Sequence, residues 1–135
     1  MTSPRKTVAI SGGFDPIHIG HIRLIKEASK LGELVVILNN DNFLWEKKGY
    51  VFMPLQQRKE ILENIKGVSK VVVANDNDKT VCKTLGFLKP DIFANGGDVE
   101  EVLEAKVCRE LGIKIMLDVG GEKIQSSSEL VEDAL

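Results

Sequence analysis

Two histidines spaced three residues apart, His18 and His21, lie in the stretch SGGFDPIHIGHI that runs from Ser11 to Ile22. That spacing puts both imidazoles on one face of a helix's first turn. Unpaired backbone N–H groups and the positive end of the helix dipole sit at the same place, a setting that favours an anion. Gly12 and Gly13, just before, permit a tight turn and close approach of a ligand to the backbone. Small glycines, two imidazoles and a helix N-terminus together read as a phosphate site.

Such a site needs a strand before it and a helix after it, and the flanking patterns supply both. Thr7–Ser11 reads as a short buried strand, and Ile22, Ile25, Ala28 and Leu31 recur at helical spacing from Ile19 to Lys30, with Gly32 as the expected C-cap. The continuous apolar run Leu34–Leu38 suits a strand covered on both faces. Asn39 to Pro54 is mixed in character and reads as a long irregular loop, of a length more often functional than idle. Pro54 opens a helix to about Ile65, and Val71–Ala74 is a third strand. Asn75–Asp78 reads as the cap of a helix through Leu88. Ile92–Ala94 is a fourth strand that stops at Asn95–Gly96–Gly97–Asp98, and Val99–Leu111 is a helix closed by Gly112. Ile113–Leu117 is a fifth strand, and Ser126–Ser127–Ser128 caps a last helix over Glu129–Ala134.

Strands that alternate with helices form parallel βαβ units, here a three-layer α/β sandwich with a five-stranded parallel sheet and helices on both faces. Ligands in such sheets bind beyond the carboxyl ends of the strands. The unusual loops all follow strands, so four strand ends converge on one cleft.

The whole chain narrows the possibilities further. Its 135 residues suit one domain over 1–135 with a substantial core. The net charge of −2 gives a nucleic-acid partner no overall electrostatic support. No apolar run approaches the roughly 20 residues of a membrane span, and the N-terminus lacks the apolar core of a signal peptide, so a cytoplasmic protein is expected. Cys82 and Cys108 lack CxxC spacing and read as reduced, buried thiols. Neither a GxGxxG turn nor a P-loop is present.

Phe14–Asp15–Pro16–Ile17–His18–Ile19–Gly20–His21 resembles the HxGH signature of the nucleotidyltransferase superfamily, whose members include glycerol-3-phosphate cytidylyltransferase and the heptose-phosphate adenylyltransferases. The resemblance covers nearly the whole chain in order and spacing. It implies a Rossmann-like domain in which an acceptor phosphate attacks the α-phosphorus of a nucleoside triphosphate and pyrophosphate leaves. Catalysis then rests on positioning and charge stabilisation by fixed donors. By resemblance His18, His21 and Lys47 are the catalytic residues, with Lys47 and Lys48 not separable by position. Nucleotide binding falls to Gly12, Gly13, Phe14, Asp15, Gly20, Asn95, Gly96, Gly97, Asp98, Ser126, Ser127 and Ser128, with Gly20 leaving room for the nucleotide. Asp15 suits positioning of the loop better than service as a base, and Asp98 suits either a ligand hydroxyl or a helix cap. Lys48 and Arg58 are the candidate acceptor-binding residues, and Trp45, Tyr50 and Phe52 either line the acceptor pocket or pack the loop.

Two positions depart from the pattern. Gly13 stands where relatives commonly carry threonine, and no arginine precedes the serine run, where Lys123 is the nearest substitute. The expected activity is cytidylyl transfer from CTP to a sugar or polyol phosphate. Adenylyl transfer from ATP is the alternative, and a non-catalytic nucleotide-binding module is the reading from another class. Mg²⁺ is expected on the triphosphate with no dedicated protein ligands, and the resemblance implies a homodimer.

Overall fold

A computed structural model describes residues 5–76, 80–96, 104–121 and 126–135. Strand β1 (Thr7–Gly12) leads into helix α1 (Ile19–Ser29), followed by β2 (Glu33–Leu38), α2 (Asp41–Lys48), α3 (Leu55–Glu63) and β3 (Val68–Val73). Helix α4 (Cys82–Leu88), β4 (Ile92–Ala94), α5 (Ala105–Leu111), β5 (Lys114–Met116) and α6 (Ser127–Ala134) complete the order. The five strands form one sheet in the order β3-β2-β1-β4-β5, and every pair is parallel. The chain builds outward from β1 to β3, then crosses to the other side of β1 for β4. Strand order therefore reverses beside β1, and the crevice outside its carboxyl end, where Gly12 leads into the histidine stretch, is where such sheets take ligands.

Side-chain alternation along the strands builds two cores. Val8 and Ile10 of β1 pack with Ile25 and Ala28 of α1 and Leu62 of α3 on one face. Ala9 and Phe93 pack with Leu85 of α4 and Cys108 of α5 on the other. Strand β2, enclosed between them, is buried from Leu34 to Leu38, as its unbroken apolar run requires. No helix among the described residues is long and apolar enough to cross a membrane.

Several expected boundaries are corrected. Residues Asn39–Pro54 are not one irregular loop, because they contain α2, capped by the Asn40 side chain, which accepts from Phe43 N–H at 2.8 Å, and closed by Gly49 at φ 81°. Leu44 is its only buried residue, so the helix has no apolar stripe to betray it. Helix α1 ends on Lys30 rather than Gly32. Gly32 is required for another reason: a Cβ there would lie 2.1 Å from the Lys6 carbonyl oxygen. Helix α4 begins at Cys82, later than the 75–78 cap implied, yet the Asp76 carboxylate still accepts the Lys83 and Thr84 N–H groups of its first turn. Asn77 and Asp78 lie outside the described residues, as do residues 99–103 of the expected helix over Val99–Leu111. Cys108 is buried and Cys82 half-buried, and both are free thiols.

Gly32 and Gly86 give opposite expectations. Gly32→Ala must displace backbone and should cost about 1–3 kcal/mol, as overpacking does. Gly86, inside α4 with open space where its Cβ would point, should gain about 0.5–1 kcal/mol on substitution by Ala. Urea unfolding of the two variants checks both signs.

Candidate active site

The first turn of α1 is capped by histidine in both directions. The N-cap residue is His18, whose Nδ1 accepts the Gly20 N–H at 3.0 Å, while His21 Nδ1 accepts the His18 N–H at 3.1 Å. A neutral imidazole whose Nδ1 accepts carries its proton on Nε2, so both rings are fixed as Nε2–H donors. The rings stack with centroids 3.9 Å apart, and Phe14 lies tilted against His21 at 4.7 Å. Burial, then the neighbouring His18 and Lys48 charges, push His21 down from 6.5 to about 3, so this ring is neutral at physiological pH. Gly20 lines the cavity, and a Cβ there would also sit 2.9 Å from His18 Cε1, so the glycine leaves room for the His18 ring as well.

The turn before the helix is built differently from the expectation. Neither Gly12 nor Gly13 has positive φ; the left-handed residue is the buried Phe14, at φ 51°. The glycines answer to packing, since a Cβ at Gly13 would meet Leu44 Cδ2 at 2.6 Å and one at Gly12 would crowd the Phe14 ring at 3.2 Å. Asp15, which precedes a cis peptide bond to Pro16, is buried with its two carboxylate oxygens accepting the backbone N–H groups of Phe52 and Met53. It holds the chain after α2 in place, and its carboxylate is committed there rather than to a nucleotide.

Arg58 is the clearest correction. Expected at an acceptor phosphate, it is 1% exposed. Its Nε donates to the Met53 carbonyl at 2.9 Å, Nη1 to the carbonyls of Gly13 (2.9 Å) and Asn39 (2.7 Å), and Nη2 to Asp41 Oδ1 at 2.6 Å. A guanidinium has five N–H donors, and these bonds occupy four of them inside the protein. Arg58 ties the Gly13 turn, the end of β2, the start of α2 and the loop before α3 into one unit.

A cavity of about 770 Å³ opens where these pieces meet. Its walls come from the carboxyl ends of β1, β2 and β4 and from α1, α2 and the start of α6. His18, His21, Gly12, Gly13, Phe14, Asp15 and Gly20 line it together with Lys47 and Lys48, and so do Asn95, Gly96, Ser126, Ser127 and Ser128. The structure thus brings together all the described candidate catalytic and nucleotide-binding residues with Lys48, and leaves Arg58 out. Gly97, Asp98 and Lys123 lie outside the described residues. Across the cavity, Ser126 caps α6, and the Ser127 hydroxyl donates to the Pro16 carbonyl at 2.7 Å, joining α6 to the histidine stretch.

The two lysines differ. Lys48 Nζ donates to the Asp15 carbonyl at 3.0 Å, lies 3.9 Å from Asp15 Oδ2 and 4.9 Å over the Tyr50 ring, and has a side chain 14% exposed. Burial lowers its pKa, Asp15 opposes the shift and Arg58 adds to it. Lys47 is exposed, with Nζ 6.0 Å from the Phe43 ring centroid. With the Asp15 carboxylate internally engaged, the two ammonium groups give the cavity a positive balance that suits an anionic ligand. Trp45 and Phe52, 59% and 55% exposed, are outside the cavity lining.

Residues 9–129 match the family described as cytidylyltransferase-like. The chain belongs to the cytidylyltransferase-like family. Within this family of nucleotidyltransferases it is 35% identical over 112 residues to the FAD synthase of Ferroglobus placidus, covering 81% of this chain and 72% of that one. It is 38% identical over 104 residues to the FAD synthase of Thermococcus sibiricus, covering 73% and 68%. The bifunctional protein HldE of Desulfatibacillum aliphaticivorans matches 96% of this chain at 28% identity, over 27% of its own length. Among solved structures, the lipopolysaccharide core biosynthesis protein of Thermoplasma volcanium superposes with a TM-score of 0.69 at 30% identity, covering 84% of this chain and 93% of that one. The Rossmann-like α/β fold is therefore common to this chain and that structure.

Some cavity residues of this cytidylyltransferase-like chain escaped the sequence reading. Asn39, at the end of β2, is 5% exposed, lines the cavity, and has a side-chain Oδ1 without a hydrogen-bond partner. Its position just beyond a strand's carboxyl end was the available signal. Asn95 Nδ2 is likewise buried and unpartnered. Gly120, at φ 94°, brings the chain after β5 onto α1: a Cβ there would lie 2.9 Å from Leu24 N.

The neutral His21 has a consequence for stability. Unfolded, its imidazole takes a proton near pH 6.5; folded, it does so only near pH 3. Between these values the unfolded state binds the extra proton, so stability falls as pH drops, by up to about 1.4 kcal/mol per pH unit. Urea unfolding from pH 7 to pH 4 should show a steeper loss for the wild type than for His21→Asn. Equal slopes would contradict the assigned neutrality.

Proposed function

We propose that this chain transfers the adenylyl group of ATP to the phosphate of a small phosphate monoester, with release of pyrophosphate. The observation that carries the reading is the pair of stacked imidazoles held as Nε2–H donors at a helix N-terminus that lines a positively balanced cavity. An oxygen of the acceptor phosphate attacks the α-phosphorus, the bond from that phosphorus to the bridging oxygen breaks, and pyrophosphate leaves with the electron pair. His18 and His21 donate to the phosphate oxygens on which charge accumulates; because His21 donates as a neutral ring, it need not lose a proton during transfer. Lys47, at the cavity rim, follows the triphosphate. Lys48, held by Asp15, lies on the acceptor's side. The serine hydroxyls and N–H groups at the start of α6 suit the outer phosphates, and Asn95–Gly96, with Gly97 and Asp98 beyond it, suits the nucleoside. Magnesium enters as part of the ATP substrate, held by phosphates and water.

The choice of ATP over the CTP expected from sequence follows the relatives. Two are named FAD synthase, and FAD is FMN joined to AMP, which makes FMN the first acceptor to test. A sugar phosphate is the second, favoured by the near-complete coverage of this chain in the match to HldE and by the core biosynthesis structure. A cytoplasmic homodimer, implied by the resemblance, belongs to the same proposal.

Purified protein with Mg²⁺ should release pyrophosphate from ATP in the presence of FMN or a sugar phosphate, with the adenylylated product identified by mass. His21→Ala should lower turnover at least 100-fold in protein that remains folded by circular dichroism, beyond the modest stability loss of a removed helix cap. A preference for CTP, a loss below tenfold in His21→Ala, or nucleotide binding without any turnover across the panel would contradict the proposal, the last in favour of a binding module.

A further inference from the structure

The buried side chain of Asn39 carries an acceptor that the scaffold leaves unused. Its backbone is fully used, since its N–H donates to the Gly12 carbonyl at 2.9 Å and its carbonyl accepts from Arg58 at 2.7 Å. The side chain, by contrast, leaves a buried Oδ1 unpaired. Buried polar atoms in native proteins are satisfied as a rule, and an exception marks a group waiting for a partner. A leucine would fit the same volume without the desolvated oxygen, so packing alone gives no reason for asparagine. The residue also lines the cavity, beside Gly13, Leu44 and Lys48.

Its side of the cavity is informative. Strand β2 neighbours β1 on the flank opposite β4, and α2 with its two lysines follows Asn39 directly. Asn95, just after β4, lies on the other flank, and the serine run meets the histidine stretch through Ser127 and Pro16. In-line transfer puts the attacking acceptor opposite the leaving pyrophosphate, so with the outer phosphates at the serine run the acceptor approaches from the far side of the histidine pair. On the adenylyl-transfer reading, from which this step follows, Asn39 faces the acceptor. The lysines answer the acceptor's phosphate charge. Asn39, a neutral amide able to turn about its terminal torsion, answers a hydrogen-bond donor a few bonds away from that phosphate.

We propose that Asn39 is a specificity-determining residue for the acceptor, accepting a hydrogen bond from a hydroxyl near the phosphate and so selecting phosphate monoesters of a polyhydroxylated carbon chain. A site built to bond a hydroxyl discriminates strongly against the analogue that lacks it, because its own polar group is then left unpaired.

The test compares wild type with Asn39→Leu on two acceptors, FMN and the analogue whose side chain is an unhydroxylated pentyl phosphate. If transfer runs on sugar phosphates rather than FMN, a sugar phosphate is paired with its deoxy counterpart. Wild type should prefer the hydroxylated acceptor at least tenfold in kcat/KM. Asn39→Leu should abolish that preference by raising the hydroxylated acceptor's KM, with the ATP KM within twofold and a melting temperature no lower than wild type. Asn39→Ala should lose the same preference and guards against a misfolded Leu variant. An intact preference in the variants, or a rise in the ATP KM instead of the acceptor's, overturns the role of Asn39 while leaving adenylyl transfer standing. Absence of turnover by wild type with every acceptor overturns the reading beneath it.

Discussion

Two hydrogen bonds that end on imidazole Nδ1 atoms govern how this cavity behaves. Helix N-termini are ordinarily capped by serine, threonine or aspartate; here His18 and His21 do the capping, and the cap sets their tautomer. The sequence spacing that puts the rings on one face also lets each accept a backbone N–H of the same turn. Both rings consequently present Nε2–H donors, and burial keeps His21 uncharged. The glycine between them is the condition for this arrangement, because a side chain there would collide with the His18 ring. Helix capping and the proposed phosphate recognition thus fall to the same two rings, the first through Nδ1 and the second through Nε2.

A buried polar lock holds the rest of the cavity wall to that turn. Arg58 joins Gly13, Asn39, Asp41 and Met53, while Asp15 joins Lys48, Phe52 and Met53. Arg58 and Asp15 are buried but are held mostly by backbone carbonyls and N–H groups, with Asp41, the partner of Arg58, partly exposed. Helix α2 depends on the lock, since it contributes little apolar surface of its own beyond Leu44. Lys48, which it carries, is positioned by charge and hydrogen bonding more than by hydrophobic packing.

The parts of this structure legible in the sequence are those that hydrophobic periodicity encodes. β1, α1 and β2 are written in apolar runs and repeats, and the phosphate-type stretch between them stands out by residue type. Helix α2 is not legible in that way, because one buried leucine in eight residues makes no pattern. Its caps, Asn40 and Gly49, were the remaining signal. Arg58 looked like a surface ligand because helical spacing near its position cannot tell a cation facing solvent from one turned inward to backbone carbonyls. Asn39 was hidden for the reverse reason: an amide after a strand reads as turn chemistry, and only burial shows that its oxygen has nothing to bond. That Gly20 also makes room for the His18 ring is not legible in the sequence, since the fold of a neighbouring side chain is a three-dimensional fact.

The most direct test is a crystal structure of the protein with Mg²⁺ and an ATP analogue whose α,β-bridge cannot be cleaved. Triphosphate oxygens should lie within hydrogen-bond distance of Nε2 of both His18 and His21, with the nucleoside toward Asn95 and Gly96 and an open space beside Asn39 and Lys48. Phosphates bound away from the two Nε2 atoms, or imidazoles turned so that Nδ1 meets the phosphate, would contradict that arrangement.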